Sequence, residues 1–171
     1  MTLQQVIRTI ERVAAGQPAV STIVRNDIFR LNASPVVRYG AFAWLQGEHR
    51  AAPGSLMDYA FTFFYADRLT ADKANEIEVQ SVGGEVLTNI VRQLEDLGVW
   101  ATGDVVFRTF NQRFSDECAG VYCTVTLEVP KEGLCSDAYE FLRNEADYNL
   151  DFNKDFQCWI WRTEEREIYI I

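Results

Sequence analysis

The chain predicts an α+β domain: an antiparallel sheet of about five strands with one long helix packed on it, an N-terminal helix and a C-terminal hairpin arm. Three observations predict it. Aromatic residues alternate along Tyr59 to Asp67, apolar residues recur at helical spacing along Ala74 to Leu97, and apolar and polar residues alternate along Ala119 to Val129. This order of strand, helix and strands indicates a scaffold that presents a sheet and one helix to its neighbours.

The bulk composition predicts one domain with a terminal arm. The 171 residues are 48% hydrophobic, which suffices for a core, and we expect residues 1–130 to form that core and residues 131–171 an extension. The net charge of −9 disfavours non-specific attraction to nucleic acid or to an anionic membrane. No apolar run approaches the roughly 20 residues that span a bilayer, so no membrane partner is expected.

The N-terminal helix has clear boundary signals. Thr2 can cap it and Gln5 completes a capping box, while Gly16 and Pro18 end it. Its apolar residues fall on one stripe: Leu3, Val6, Ile7, Ile10, Val13 and Ala14. This stripe is either part of the core or the contact face of a docking arm.

Three strands are predicted next, at Ser21 to Asn32, Val36 to Leu45 and Leu56 to Ala66, with a bend at Asn26-Asp27 and a polar loop from Gln46 to Ser55. The third strand has aromatic side chains on both faces, which is typical of a central strand. A helix would cover one face, and a second layer or a neighbouring subunit the other.

The long helix is predicted to begin between Asp72 and Asn75 and to end near Gly98. The pair Gly83-Gly84 is unusual inside a helix, where it costs about 2 kcal/mol relative to alanine. Three explanations are open: the start of the helix, a point of close packing, or contact with a partner.

The remaining segments predict a strand pair and then the arm. Asp104 to Phe114 and Ala119 to Val129 form the antiparallel pair. In the tail, a short helix is predicted at Ser136 to Asn144 and an acidic loop at Glu145 to Asp155. A closing hairpin is predicted from Gln157 to Arg162 and Glu167 to Ile171. We expect the hairpin to join the sheet edge of a neighbouring subunit; the alternative is that it covers the core of its own chain.

No residue pattern indicates catalysis, a metal or a cofactor. The four cysteines form no C-x-x-C pair and His49 is the single histidine, so a zinc site is disfavoured and reduced thiols are expected. The segment from Asp147 to Asp155 lacks the glycine and the closing glutamate of an EF-hand. Neither a phosphate-binding glycine loop nor a G-x-S-x-G elbow is present. We therefore expect a protein that is not an enzyme, although a small enzyme or ligand-binding domain is the alternative.

Two segments carry more apolar surface than a lone small domain needs, which predicts contacts between copies of the chain. The expected interface residues lie on the third strand and in the closing hairpin: Phe61, Phe63, Tyr65, Trp159, Trp161 and Tyr169.

Two motifs lie in the unit from Tyr59 to Pro130. The first, N-E-x-E-x-x-S, opens the helix at Asn75, Glu76, Glu78 and Ser81. The second, F-x-x-R-F-x-D-x-x-A-G-x-x-x-T-x-T-x-x-V-P, is met at Phe110, Arg113, Phe114, Asp116, Ala119, Gly120, Thr124, Thr126, Val129 and Pro130. With these motifs the unit resembles structural proteins of tailed bacteriophages, particularly crAss-like and other phages of Bacteroidetes hosts.

The order of elements is similar to that of tail-terminator and tail-completion proteins. This resemblance implies a virion protein, assembled in the host bacterial cytoplasm, that forms a six- or twelve-fold homo-oligomeric ring in the neck or tail. Its implied partners are neighbouring neck, portal or tail proteins, and genomic DNA that passes through without specific binding. A prophage remnant with the same assembly role is a further alternative. The extension after Lys131 departs from the compact terminators.

Overall fold

The computed structural model describes residues 1–27, 38–52, 56–111 and 117–130 in full, and residues 150–153, 158–163 and 166–170 as backbone strands. The helices and strands are α1 (Leu3–Gly16), β1 (Thr22–Arg25), β2 (Ala41–Ala52), β3 (Leu56–Arg68), α2 (Glu76–Asp96), β4 (Trp100–Thr102), β5 (Phe107–Asn111), β6 (Cys118–Pro130), β7 (Leu150–Asn153), β8 (Cys158–Thr163) and β9 (Arg166–Ile170).

All the described strands join one sheet in the order β4-β6-β3-β2-β1-β9-β8-β7, and β5 pairs with β6 on the same edge as β4. The three long strands β2, β3 and β6 pair antiparallel, whereas β1 pairs parallel with both β2 and β9. The predicted α+β fold with a mostly antiparallel sheet and two helices is confirmed. Six strands come from residues 1–130 and three from the tail.

The two helices cover one face of the sheet and enclose the main core. The capping box of α1 forms as predicted, since the Thr2 side chain accepts from the Gln5 N–H and the Gln5 side chain accepts from the Thr2 N–H. Apolar residues of both helices and of the inner sheet face are buried together: Val6, Ile10, Leu87, Ile90, Leu94, Phe42, Phe61, Phe63, Cys123 and Leu127. The period-2 pattern of β3 and β6 directs these side chains to the helices.

The second face of the sheet carries a smaller apolar cluster contributed by strands. Val24, Ala41, Ala43, Ala66 and Phe110 are buried there, with Phe64 and Tyr122 packed against them. The rings of Phe64 and Tyr122 stack with centroids 5.6 Å apart. Within the described ranges no helix contributes to this cluster, and its members all lie on strands.

The strands differ from their predicted bounds where the backbone turns. The strand predicted from Ser21 to Asn32 lies within the described residues only up to position 27, and there β1 ends at Arg25 because Asn26 adopts a left-handed φ of 48°. The Asn26 N–H donates to the carbonyl of Trp44, and its side-chain oxygen accepts from the N–H of Gln46. Beyond this turn β2 continues to Ala52, through a stretch predicted as loop. The short helix predicted at residues 136–144 lies outside the described residues.

Candidate subunit interface

Three of the six predicted interface residues belong to the core of their own chain. Phe61, Phe63 and Tyr65 are 1%, 0% and 1% exposed, because α1 and α2 cover the face of β3 that carries them. The Tyr65 hydroxyl donates to the carbonyl of Ala19 at 3.3 Å, and burial raises its pKa. These side chains stabilise the monomer and are not available to a second subunit, which corrects the expectation for them.

The other three predicted interface residues lie on the closing hairpin. Trp159 and Trp161 are in β8 and Tyr169 is in β9. The backbone of β9 pairs parallel with β1 of its own chain, with Tyr169 opposite Thr22. The structure therefore has the hairpin in the intramolecular arrangement, as an extension of its own sheet.

The exposed apolar side chains of the described residues concentrate near one edge of the sheet. Five large ones are exposed: Ile77 (81%), Leu97 (47%), Trp100 (46%), Val106 (56%) and Phe107 (38%). All but Ile77 lie in or just before the segment Trp100 to Asn111, which is named here the β4–β5 edge. Exposed apolar groups on a strand edge are typical of surfaces that another chain covers.

The β4–β5 edge is one strand interrupted by a bulge. Both pieces run antiparallel to β6, with Thr102 opposite Thr126 and Phe107 opposite Cys123. Five steps along the edge therefore span only three steps on β6, so the residues between them bulge; Val105 packs against the main core, whereas Asp104 and Val106 are exposed. Gly103, with a φ of 75°, begins this bulge. No strand of the described chain pairs with the outer side of β4 or β5.

Among the described strands, a second edge without a partner strand lies across the sheet, on the distal part of β2. Strand β1 pairs only with Ala41 to Trp44, and beyond the Asn26 turn the residues from Gly47 to Ala51 are exposed. The register shifts between Gln46 and His49, and Arg50 pairs with Asp58 at 3.1 Å. A bulge and charged side chains are features that discourage unwanted pairing of an edge strand.

The residues of the first motif hold the start of α2 against the sheet. Asn75 precedes the helix; its side-chain oxygen accepts from the N–H of Thr70 at 2.9 Å, and its amide donates to the carbonyl of Arg68 at 3.1 Å. Glu76 accepts from the side-chain amide of Asn111 in β5 at 3.0 Å. These contacts join the end of β3, the start of α2 and the end of β5.

The second motif contains a glycine that the packing requires. A Cβ on Gly120 would lie 1.9 Å from the carbonyl oxygen of Tyr65 and 2.8 Å from the ring of Phe110. Strands β3 and β6 therefore approach each other there in a way that only glycine permits. The motif positions Arg113, Phe114 and Asp116 lie outside the described residues. Of the second motif, Ala119, Gly120 and Val129 are buried in β6, whereas Thr124 is exposed.

The exposed surface of α2 is acidic. Five carboxylates lie on this helix and one arginine opposes them: Glu76, Glu78, Glu85, Glu95, Asp96 and Arg92. All but Glu76, which is half-buried, are exposed. Because these charges are mostly of one sign, the helix presents a negative surface that repels polyanions.

The described residues contain no group of three or more His, Cys, Asp or Glu side chains that could hold a metal ion. Cys118 and Cys123 are buried and form no disulfide, and burial raises the pKa of Cys123 to about 12. His49 is exposed on β2, its ring centroid 6.1 Å from that of Tyr59. No described helix is long and apolar enough to cross a membrane.

Neither the protein-family models nor the curated proteins contain a match to this chain. The function is therefore inferred from the surface of the molecule and from the two motifs.

Proposed function

We propose that the chain is a structural virion protein that forms a homo-oligomeric ring in the neck or tail of a tailed bacteriophage. In this role it joins portal or head to tail and surrounds the path of the DNA. The ring contains six or twelve subunits, and neighbouring neck, portal or tail proteins bind its two ends.

The uncovered β4–β5 edge is the observation that carries this proposal. The domain buries a full core on its helical face, yet it leaves four large apolar side chains in or beside one strand edge. A sheet edge with open backbone groups and exposed Trp100, Val106 and Phe107 is a liability for a protein that acts alone. In a subunit of an assembly, the same edge is a surface to which another protein can bind.

The charge distribution supports the passage of DNA. A channel wall must not hold the duplex, and double-stranded DNA carries one negative charge per roughly 1.7 Å of its axis. The acidic surface of α2 would repel it, with Glu78, Glu85 and Glu95 among the exposed carboxylates. The net charge of −9 is in keeping with this role.

The two motifs support the proposal that the chain is a structural protein of a tailed bacteriophage. Asn75 and Glu76 hold α2 to the turn after β3 and to β5, and Gly120 lets β3 and β6 approach. These are positions where the domain needs particular residue types in order to fold. They are the features that the chain shares with the phage structural proteins it resembles.

Projection images of the concentrated protein test the proposal. We expect annular particles with a central channel and six- or twelve-fold symmetry. Compact particles of one subunit at all concentrations would contradict it. Because α2 is acidic, the annular particles should also fail to retain double-stranded DNA at low salt, where non-specific binding is strongest.

A further inference from the structure

The β4–β5 edge is self-complementary in charge. Its bulge holds Asp104, and the following strand holds Arg108; the two lie two residues to either side of Val106. Both side chains are exposed, and neither makes an ion pair with another residue of the described ranges. Exposed Val106 and Phe107 lie between them.

The exposed stretch of β2 in another copy cannot pair with both β4 and β5 of this edge. Trp100 of β4 shares one row of the sheet with Glu128, Asp58 and Arg50, so β4 is level with the open part of β2. Phe107 of β5, however, shares a row with Trp44, where β1 already pairs with β2. A copy that placed β4 beside β2 would drive β5 onto β1.

We propose that the β4–β5 edge is covered by the same edge of a second copy of this chain, in a two-fold contact centred on Val106. A two-fold axis repeats every contact: if one residue of the first subunit touches a second residue of its partner, that second residue of the first subunit touches the first residue of the partner. With Val106 on the axis, Asp104 of each subunit meets Arg108 of the other, and β4 of each subunit faces β5 of the other. The contact buries Val106 and Phe107 between two ion pairs.

This contact joins subunits in pairs, and it does not depend on the contacts that close a ring. In the isolated protein it pairs two rings face to face, through two-fold axes perpendicular to the ring axis. The particle is then a double ring with twice the subunits of a single ring.

Sedimentation of charge variants tests the inference. Arg108→Glu and Asp104→Arg each place like charges together at two symmetric contacts, so each variant should weaken dimerisation by at least about tenfold. The double variant Asp104→Arg/Arg108→Glu restores both ion pairs with the charges exchanged and should recover most of the affinity. Arg92→Glu on the exposed face of α2 makes the same charge change away from the edge and should leave dimerisation unchanged.

The outcomes separate this inference from the proposed function. Rings that are insensitive to Arg108→Glu would overturn the two-fold contact and leave the ring standing. Failure of the double variant to recover affinity would also overturn the contact. A dimer with the expected charge exchange but no ring would support the contact and count against the ring. A monomer at every concentration would overturn both.

Discussion

At the scale of single residues, one buried carboxylate connects the first helix to the sheet. Glu11 is 1% exposed, and it accepts two hydrogen bonds of 2.6 Å from the Arg25 guanidinium, through Nε and Nη2. The arginine side chain is 38% exposed. The two partners therefore differ in what their removal leaves. Removal of Arg25 leaves a buried carboxylate without its ion pair, whereas removal of Glu11 leaves a guanidinium that water can solvate.

This difference predicts unequal effects of the two single substitutions. Arg25→Leu should lower the free energy of unfolding by about 3–5 kcal/mol, since it leaves an uncompensated buried carboxylate. Glu11→Leu should cost only about 1 kcal/mol, because Arg25 can turn to solvent. Urea unfolding measures both, and the exposed pair Lys73–Glu117, at 3.9 Å, is the control, where removal of either partner should cost less than about 1 kcal/mol. Equal costs at Glu11 and Arg25 would contradict this account.

At the scale of elements, the two glycines of α2 have different environments. A Cβ on Gly83 would lie 2.9 Å from Tyr65 Cδ1 and 3.3 Å from Val121 Cγ2, whereas a Cβ on Gly84 would meet nothing within 4 Å. Of the three explanations open from the sequence, close packing therefore applies to Gly83. Its missing side chain lets the helix approach the aromatic face of β3.

The pair provides a matched test of that packing. Gly84→Ala should raise the free energy of unfolding by up to about 1 kcal/mol through helix propensity alone. Gly83→Ala gains the same propensity but forces α2 away from Tyr65, so it should destabilise the protein by about 1–3 kcal/mol. Thermal unfolding of the two variants gives the comparison. Stabilisation by both substitutions would show that the helix does not need this close approach.

The C-terminal hairpin is the second element with a direct test. Because β9 pairs with β1, deletion of residues 157–171 removes the parallel neighbour of Thr22 and Ile23 and opens a new edge. We expect the truncated chain to lose stability as a monomer, measured by urea unfolding. A truncated chain of undiminished stability that fails to form rings would instead place the hairpin on a neighbouring subunit.

Elements with strong local signals were predictable, and pairings between distant segments were not. The caps of α1, the bend at Asn26 and the alternation of β6 follow from residue types at fixed spacing, and all three are present. The distal part of β2 was predicted as loop because its residues are polar. Exposed edge strands also carry polar and charged residues, so the sequence does not separate the two. The parallel pairing of β1 with β9 joins segments far apart in the chain, for which a single sequence has no signal.

At the scale of the whole molecule, the same limit explains the predicted interface. Alternating aromatics along β3 show that both faces are covered, but they do not show whether a helix of the same chain or another subunit covers them. Phe61, Phe63 and Tyr65 proved to face α1 and α2. The β4–β5 edge was missed because its two apolar runs, Val99 to Ala101 and Val105 to Phe107, are each only three residues long, and only the fold places them on one edge.

The central claim is that this domain is a subunit whose uncovered edge and acidic helix belong in a closed assembly. The surface features argue for it together: exposed apolar side chains on open strands, self-complementary charges, and a helix that repels polyanions. Exposed apolar side chains on an open strand edge are unfavourable in a protein that functions as a monomer.

Native mass spectrometry of the concentrated protein tests this claim most directly, because it counts subunits. The account predicts a discrete assembly of six or twelve copies of the 19.6 kDa chain for a single ring, and of twice that number where the two-fold contact pairs two rings. A single species at the mass of one chain, unchanged as the concentration rises, would contradict it.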